Sequence, residues 1–433
     1  MGKLSAECLE GLYRKSGSVF GGFRDRRHET LDTPKRGCGK MTAVQNDFRG
    51  KSSVNFVILW LLAVCLSGEA VVPAWARAAE AARPQTIAER RGLFVTVIAD
   101  PPVLSDRREI EKLVDFARQK DIKILFVQIY RANRAWFPSR MADTSPYENS
   151  RKSVGEDAFR LLIRQAHAAG IEVHAWLNLL SLADNKSAPI LRKYGAEILT
   201  KNTEPKAVPE DYRIDKQYFL EPGDPRVREE LDGMVGEILR AYPELDGIQF
   251  DYIRYPDERP AYGHTKINLE RFRERYPGET PDEGNPVWRQ WKREQVTGLL
   301  EGLVEKTRLL RPDILISATA CTSYTRAYHE AFQDWPSWIR RELVDFVTLM
   351  NYSPHFSEYA KDIVEARDKT WDFRKVKIGI GAYKLGKYPG RFAKMFRLCE
   401  KAGGGGCAVF HYGSMVENPA LCAAMSEGRQ RSA

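Results

Sequence analysis

Eight short runs of β-prone apolar residues, separated by stretches with helical spacing, constrain this chain more than any other feature. The runs are Gly92 to Ala99 (GLFVTVIA), Lys123 to Tyr130 (KILFVQIY), Glu172 to Asn178 (EVHAWLN), Gly247 to Asp251 (GIQFD), Ile314 to Thr319 (ILISAT), Phe346 to Asn351 (FVTLMN), Lys377 to Gly381 (KIGIG) and Cys407 to His411 (CAVFH). Between most of them, apolar residues recur at three- and four-residue spacing: Glu109 to Gln119, Ala158 to Ala169, Arg226 to Leu239, Trp288 to Leu310 and Pro389 to Ala402. Eight strands alternating with helices is the count of a closed parallel (β/α)8 barrel, the TIM barrel. An open doubly wound sheet is the competing arrangement, but no GxGxxG opens a helix after the first strand. Gly403 to Gly406 follows a helix and precedes a strand, so it reads as a connection and not as a phosphate cradle. The longest interval, residues 180–225, lies between the third and fourth strands. A barrel insertion there is expected to help build a substrate cleft.

Within this frame the segment Leu245 to Pro256 (LDGIQFDYIRYP) proposes a reacting group. Its strand ends on Asp251, and strand C-terminal ends are where barrel enzymes place their chemistry. Alternation puts Gln249 on the inner side with Asp251, and Ile248 and Phe250 toward the helices. Arg254 is near enough in sequence to hold the Asp251 carboxylate charged. The plain alternative is an Asp–Arg pair that only pins the loop.

Residues 1–79 read as an extension and leader, separate from a barrel domain at 80–433. Val54 to Leu66 is a 13-residue apolar run preceded by Arg49 and Lys51 and followed by Pro73-Ala74-Trp75-Ala76. That is the order of a secretory signal, with cleavage expected after Ala76 or Ala78. The run is short for a membrane span, although a retained anchor and acylation at Cys65 remain alternatives. Met41 would begin a leader of more ordinary length. The expected location is therefore the periplasm or cell envelope, or secretion, with membrane contact only through the leader or a lipid anchor. Without residues 1–79 the excess of Lys and Arg over Asp and Glu falls from 9 to 4. Charges of both signs are interspersed and no basic stripe stands out, which argues against nucleic acid as a partner. Cys321, Cys399, Cys407 and Cys422 remain for disulfide pairing, with three full pairings open and no CxxC.

Polar and aromatic residues gather at the predicted strand ends. Tyr130, Trp176, Asn178, Tyr352, Tyr383 and His411 offer flat apolar faces with hydrogen-bonding tips, which suits a sugar ring. Arg254, Tyr255 and Asn351 complete the candidate binding set. A single His or Tyr in such a strand is more often a core residue, so the set carries more weight than any member. In Phe219 to Pro225 (FLEPGDP), Asp224 and Pro225 form a helix start, whereas Glu221 has no such structural assignment. There is no HExxH, GxSxG or EF-hand loop, and no motif implies a metal or other cofactor.

The segments DGIQFDYIRYP, IYRANRAWFPSR (Ile129 to Arg140), AHAAGIEVHAWLN (Ala166 to Asn178), LEPGDPRVREEL (Leu220 to Leu231) and VTLMNYSPH (Val347 to His355) together resemble the glycosyl hydrolase-like family 10 group. The resemblance spans about residues 92 to 412. It implies a TIM barrel, export, and hydrolysis of polysaccharide, including peptidoglycan glycan strands for some members. A more distant similarity to family-18 type chitinases breaks at informative places. Asp246-Gly247 and Met350-Asn351-Tyr352 fit, but Gln249 stands where an inner Asp would be and Ile253 where the proton-donating Glu would be. Chitinase chemistry with an acid at position 253 is excluded. A glycosidase here needs Asp251 as nucleophile or cation stabiliser and an acid from elsewhere, Glu221 first, then Asp257 or Glu258. Two alternatives follow: a non-catalytic carbohydrate-binding barrel at the cell envelope, and an exported scaffold that uses the barrel surface.

Overall fold

The computed structural model describes residues 90–98, 102–203, 217–256 and 261–426, all within one compact unit, Ala82–Ala433. The leader at 1–79, with its cleavage and acylation positions, lies outside the described residues, as do Asp257 and Glu258.

All eight expected strands form: β1 (Arg91–Val95), β2 (Ile122–Arg131), β3 (Glu172–Asn178), β4 (Gly247–Asp251), β5 (Leu315–Cys321), β6 (Phe346–Met350), β7 (Val376–Gly381) and β8 (Cys407–Phe410). Each pairs in parallel with the next, and β1 pairs in parallel with both β2 and β8, so the sheet closes. The molecule is a (β/α)8 TIM barrel. The connection from β3 to β4, residues 179–246, carries a short two-stranded piece, Ser181–Ala183 against Tyr218–Phe219, and the helix Pro189–Tyr194 before the helix Pro225–Ala241. The β4–β5 connection, residues 252–314, is elaborated too, with helices Lys266–Arg275 and Pro286–Leu310.

Period-2 alternation sorts side chains into two cores. Leu125, Val127, Val173, Ala175, Ile248 and Phe250 face the helices. Phe94, Ile124, Phe126, Trp176, Leu315, Phe346 and Ala408 fill the barrel interior, with Phe410 packed against them. Each fully buried side chain of this size stabilises the fold by about 1.5–3 kcal/mol relative to exposure. Small residues make room for large ones inside. A Cβ on Gly247 would lie 2.3 Å from the His174 ring, and one on Gly92 would lie 2.7 Å from Phe126. The middle of the barrel is polar: Gln249 Oε1 accepts from Ser317 Oγ at 3.3 Å and Thr348 Oγ1 at 3.4 Å.

The helix termini follow their sequence signals. Asp224 caps Pro225–Ala241 by accepting from the Arg226 amide at 2.9 Å, with Pro225 at the first helical position. Cys399 and Cys407 form a disulfide joining the helix Pro389–Lys401 to β8, while Cys321 and Cys422 form none. Among the described residues, no helix is long and apolar enough to cross a membrane.

Candidate functional site

The C-terminal ends of the strands converge on one carboxylate. Asp251, the last residue of β4, is 4% exposed and surrounded by donors. Trp176 Nε1 donates to Oδ2 at 2.9 Å, the Tyr252 amide donates to Oδ1 at 2.7 Å, and the Thr319 hydroxyl donates to Oδ1. Arg254 Nη1 lies 3.7 Å from Oδ1, its guanidinium held over the Tyr252 ring at 4.2 Å. Tyr252 adopts φ +57°, a left-handed conformation that turns its amide back onto the carboxylate. Non-glycine residues in that region cost free energy and are held there by their surroundings. Donors from β3, β5 and the loop after β4 suit an anion at this position.

An aromatic wall continues from the Trp176 indole. Its ring lies 5.1 Å from Phe94 and 5.9 Å from Phe410. Phe410, half-buried at the end of β8, is 5.0 Å from Tyr352 and 5.9 Å from Tyr383. Tyr352 and Tyr383 stand edge to face at 6.1 Å. Glycines at the end of β7 admit this wall: a Cβ on Gly381 would lie 2.9 Å from Tyr352 Cβ and 3.2 Å from the Tyr383 ring. His411 follows with its ring 5.3 Å from Phe410 and its Nε2 3.1 Å from Ser414 Oγ. Burial pushes its imidazole down to about 4, so it stays neutral near pH 7. Asn178, the register partner of Asp251, accepts from Gln128 Nε2 at 3.1 Å.

Asp251, Arg254, Trp176, Asn178, Tyr352, Tyr383 and His411 therefore gather at one end of the barrel. Four expected residues do not join them. Strict alternation would put Tyr130 on the same face as Gln128, but the β2–β3 register shifts between those two residues. The shift turns Tyr130 into the outer core, where it is 2% exposed and its hydroxyl accepts from Asn133 Nδ2 at 3.0 Å. Asn351 is 1% exposed and donates to the Tyr359 carbonyl at 2.9 Å. Tyr255 and Glu221 are both 0% exposed and meet each other, the Tyr255 hydroxyl donating to Glu221 Oε1 at 2.5 Å. Thr200 Oγ1 donates to Oε2 at 2.9 Å and the Gly223 amide to Oε1 at 3.3 Å. Burial raises the Glu221 pKa, as expected of an acid, but both oxygens are already taken up by the chain. As placed, Glu221 ties the β3–β4 connection to the loop after β4.

Sequence reasoning missed Phe94, Thr319 and Phe410. Phe410 alternates with the interior-facing Ala408, a signal present in the CAVF pattern but passed over in favour of the neighbouring histidine. Among the described residues, no group of three or more His, Cys, Asp or Glu side chains is arranged to hold a metal. The arrangement is a carboxyl group ringed by donors beside an aromatic wall, a surface that can stack pyranose rings and stabilise positive charge developing on one of them.

Comparison with known proteins agrees with this geometry. Residues 89–388 match the family described as glycosyl hydrolase-like 10. Glycosyl hydrolase DigH of Escherichia coli strain K12 is 24% identical over 306 residues, covering 64% of this chain and 66% of that protein. The chain thus spans just under two thirds of that relative's length. Glycosyl hydrolase YngK of Bacillus subtilis strain 168 is 21% identical over 320 residues, covering 65% of this chain and 57% of that protein. Among solved structures, the catalytic domain of β-amylase from Paenibacillus polymyxa superposes with a TM-score of 0.53 at 12% identity, over 80% of this chain and 99% of that one, a likeness of fold.

Proposed function

The chain belongs to the glycosyl hydrolase-like 10 family, and from that premise we propose that it is an exported glycoside hydrolase acting on a polysaccharide, with bacterial cell-wall glycan as the first substrate to try. The observation that carries the reading is the Asp251 carboxylate, held by donors from three directions at the mouth of the barrel and flanked by Trp176, Phe410, Tyr352 and Tyr383. Glycosidic cleavage passes through a transition state with positive charge on the sugar ring, which an adjacent carboxylate stabilises or captures. The aromatic wall supplies stacking faces for the rings.

The leaving oxygen also needs a proton. Glu221 is poorly placed to give it because its oxygens already bind Tyr255, Thr200 and Gly223. Asp362, on the helix Phe356–Lys369, is a better candidate, and Asp257 and Glu258 stay candidates on sequence grounds alone. Burial, reinforced by Glu365 and Glu358, raises the Asp362 carboxyl to about 6, and it bonds to Thr322 just past the end of β5. A carboxyl near that value still holds a proton to give on the acid side of neutrality. Export is supported by the order of the leader residues and by the Cys399–Cys407 disulfide, which suits an oxidising compartment.

The test is release of reducing ends from a panel of polysaccharides, including intact and peptide-stripped peptidoglycan, with Asp251→Asn as control. Release that vanishes in the variant supports the hydrolase. Glycan binding with no release from any substrate supports the second reading, a non-catalytic carbohydrate-binding barrel. The burial of Glu221, together with Ile253 at the chitinase acid position, favours that second reading.

A further inference from the structure

A cavity lies beside the barrel mouth, where β1 and β2 end. It encloses about 320 Å3 and is lined by Val97, Leu104, Trp136, Pro146, Ser150, Ser153 and their neighbours. That volume is at the small end of ligand sites, of roughly 300–1,000 Å3. Of the described residues that line it, none carries a charge.

The serines decide what the cavity can accept. Ser105 Oγ donates to the Pro102 carbonyl at 2.7 Å, Ser153 Oγ donates to the Ser105 carbonyl at 2.6 Å, and Ser150 Oγ donates to the Leu104 carbonyl. The first bond closes the turn Val103–Ser105 on itself, and the other two tie it to the helix Ser145–Val154, which preforms that side of the cavity. A hydroxyl has one proton to give and two lone pairs. With their protons committed to the backbone, the three serines present acceptors to a ligand. Asn149 adds an uncharged amide that can donate or accept, so an anion would meet no cation among the described lining residues, whereas the serine acceptors complement a ligand rich in O–H donors. The Trp136 indole adds a flat apolar face of the kind that stacks on the C–H face of a pyranose.

The cavity is joined to the candidate active site by a short arc of hydrogen bonds. The Val97 amide donates to Gln128 Oε1 at 3.3 Å, and Gln128 Nε2 donates to Asn178 Oδ1 at 3.1 Å. Asn178 is the register partner of Asp251, whose carbonyl accepts from the Leu179 amide at 2.9 Å. The arc runs across neighbouring strands at the same end of the barrel. A glycan lying over Asp251 and continuing past β3 and β2 would therefore arrive at Trp136.

We propose that the Trp136 cavity is an outlying subsite that takes an uncharged pyranose unit of the same glycan chain whose cleavage Asp251 supports. This rests on the carbohydrate reading above and adds a preference for long substrates with neutral sugars at that position. Trp136→Ala removes the stacking face. Ser153→Lys, at an exposed rim position, brings a cation to the cavity and gives up only the bond to the Ser105 carbonyl.

The experiment measures binding of an N-acetylated oligosaccharide ladder, from disaccharide to octasaccharide, to the Asp251→Asn protein with and without each cavity variant, by calorimetry. De-N-acetylated chains, which are cationic, form a parallel series. Turnover by the protein with Asp251 intact is followed alongside. Loss of one stacking contact is expected to weaken the long neutral chains by about two- to tenfold and leave the shortest unchanged. With the cavity intact, the Asp251→Asn protein is expected to favour neutral chains over cationic ones at long lengths only. Equal weakening at all lengths, or none at any length in both variants, overturns the subsite. Because binding is read without turnover, absence of hydrolysis would sink the enzyme reading while a length-dependent Trp136 effect would still uphold the subsite.

Discussion

Trp176 donates its indole N–H to Asp251 Oδ2 at 2.9 Å while its ring packs against Phe94 and Phe410, so one side chain both orients the carboxylate and begins the aromatic wall. The two roles separate by substitution. Trp176→Phe keeps an aromatic ring and removes the donor. A hydrogen bond to a charged group contributes about 1.5–3 kcal/mol, which translates to a fall in kcat of roughly ten- to a hundredfold if it is felt mainly in the transition state. KM should change little. Steady-state kinetics on the best polysaccharide substrate checks this, and a raised KM at unchanged kcat would show that the indole serves binding alone.

Gly381 is where the wall is most exposed to disruption by a small change. Gly381→Val would place Cβ 2.9 Å from Tyr352 Cβ and 3.2 Å from the Tyr383 ring, forcing both tyrosines to move. Overpacking of this kind costs about 1–3 kcal/mol, which a barrel of this size should survive. The expected result is a folded protein with a modestly lowered melting temperature and at least a tenfold weaker hold on glycan. Unchanged affinity would remove Tyr352 and Tyr383 from the binding surface.

Glu221 reads as a structural carboxyl, and its protonation gives that reading a signature. Its folded pKa lies above the ordinary value of 4.5 because it is buried. Above pH 4.5 the folded state therefore holds a proton that the unfolded state has lost, and Glu221 contributes less stability as pH rises through that window. Glu221→Gln cannot titrate and turns an amide group toward the donors Thr200, Tyr255 and Gly223, at a cost of about 1–3 kcal/mol. Thermal unfolding should show the variant less stable than the wild type, with the gap narrowing as pH rises above 4.5. Retained stability with abolished turnover would return Glu221 to the role of catalytic acid.

The barrel was legible because its strands are largely apolar and several of its helices carry their own caps, of which Asp224 before Pro225 is the clearest. Asp251 was legible for the same reason, as a carboxylate at the end of an apolar run. Side-chain direction beyond the regular strand was not. One register shift between Gln128 and Tyr130 reversed the expected face of Tyr130, and a shift of that kind leaves no mark in the pattern of residue types. The partners of Glu221 come from positions 200, 223 and 255, so its burial is a product of tertiary packing that local reading cannot reach. Phe410 was hidden by its own ordinariness, an apolar residue in an apolar strand whose position at the rim makes it part of the site.

Lys377 offers a test at the opposite end of the barrel, far along β7 from Gly381. It is 0% exposed and donates to the Arg90 carbonyl at 2.7 Å and the Gly405 carbonyl at 2.5 Å, with its Nζ 5.9 Å from the Phe346 ring centre. Burial, with a smaller contribution from Arg90, pushes its amine down to about 7 from an ordinary 10.5. Between those values the unfolded chain holds a proton that the folded one has released, so this group makes stability rise with pH from about 7 to 10.5 and loses its contribution as pH falls through 7. Lys377→Met keeps the bulk, abolishes the titration and strips a donor from two buried carbonyls, each worth about 1–3 kcal/mol. At high pH the variant should be clearly the less stable, because the neutral amine still donates to both carbonyls. Toward pH 6 the wild type bears a buried ammonium and the difference should shrink. Melting curves of both proteins across pH 6 to 10 read this directly, and parallel curves would mean that Lys377 stays charged inside the barrel floor.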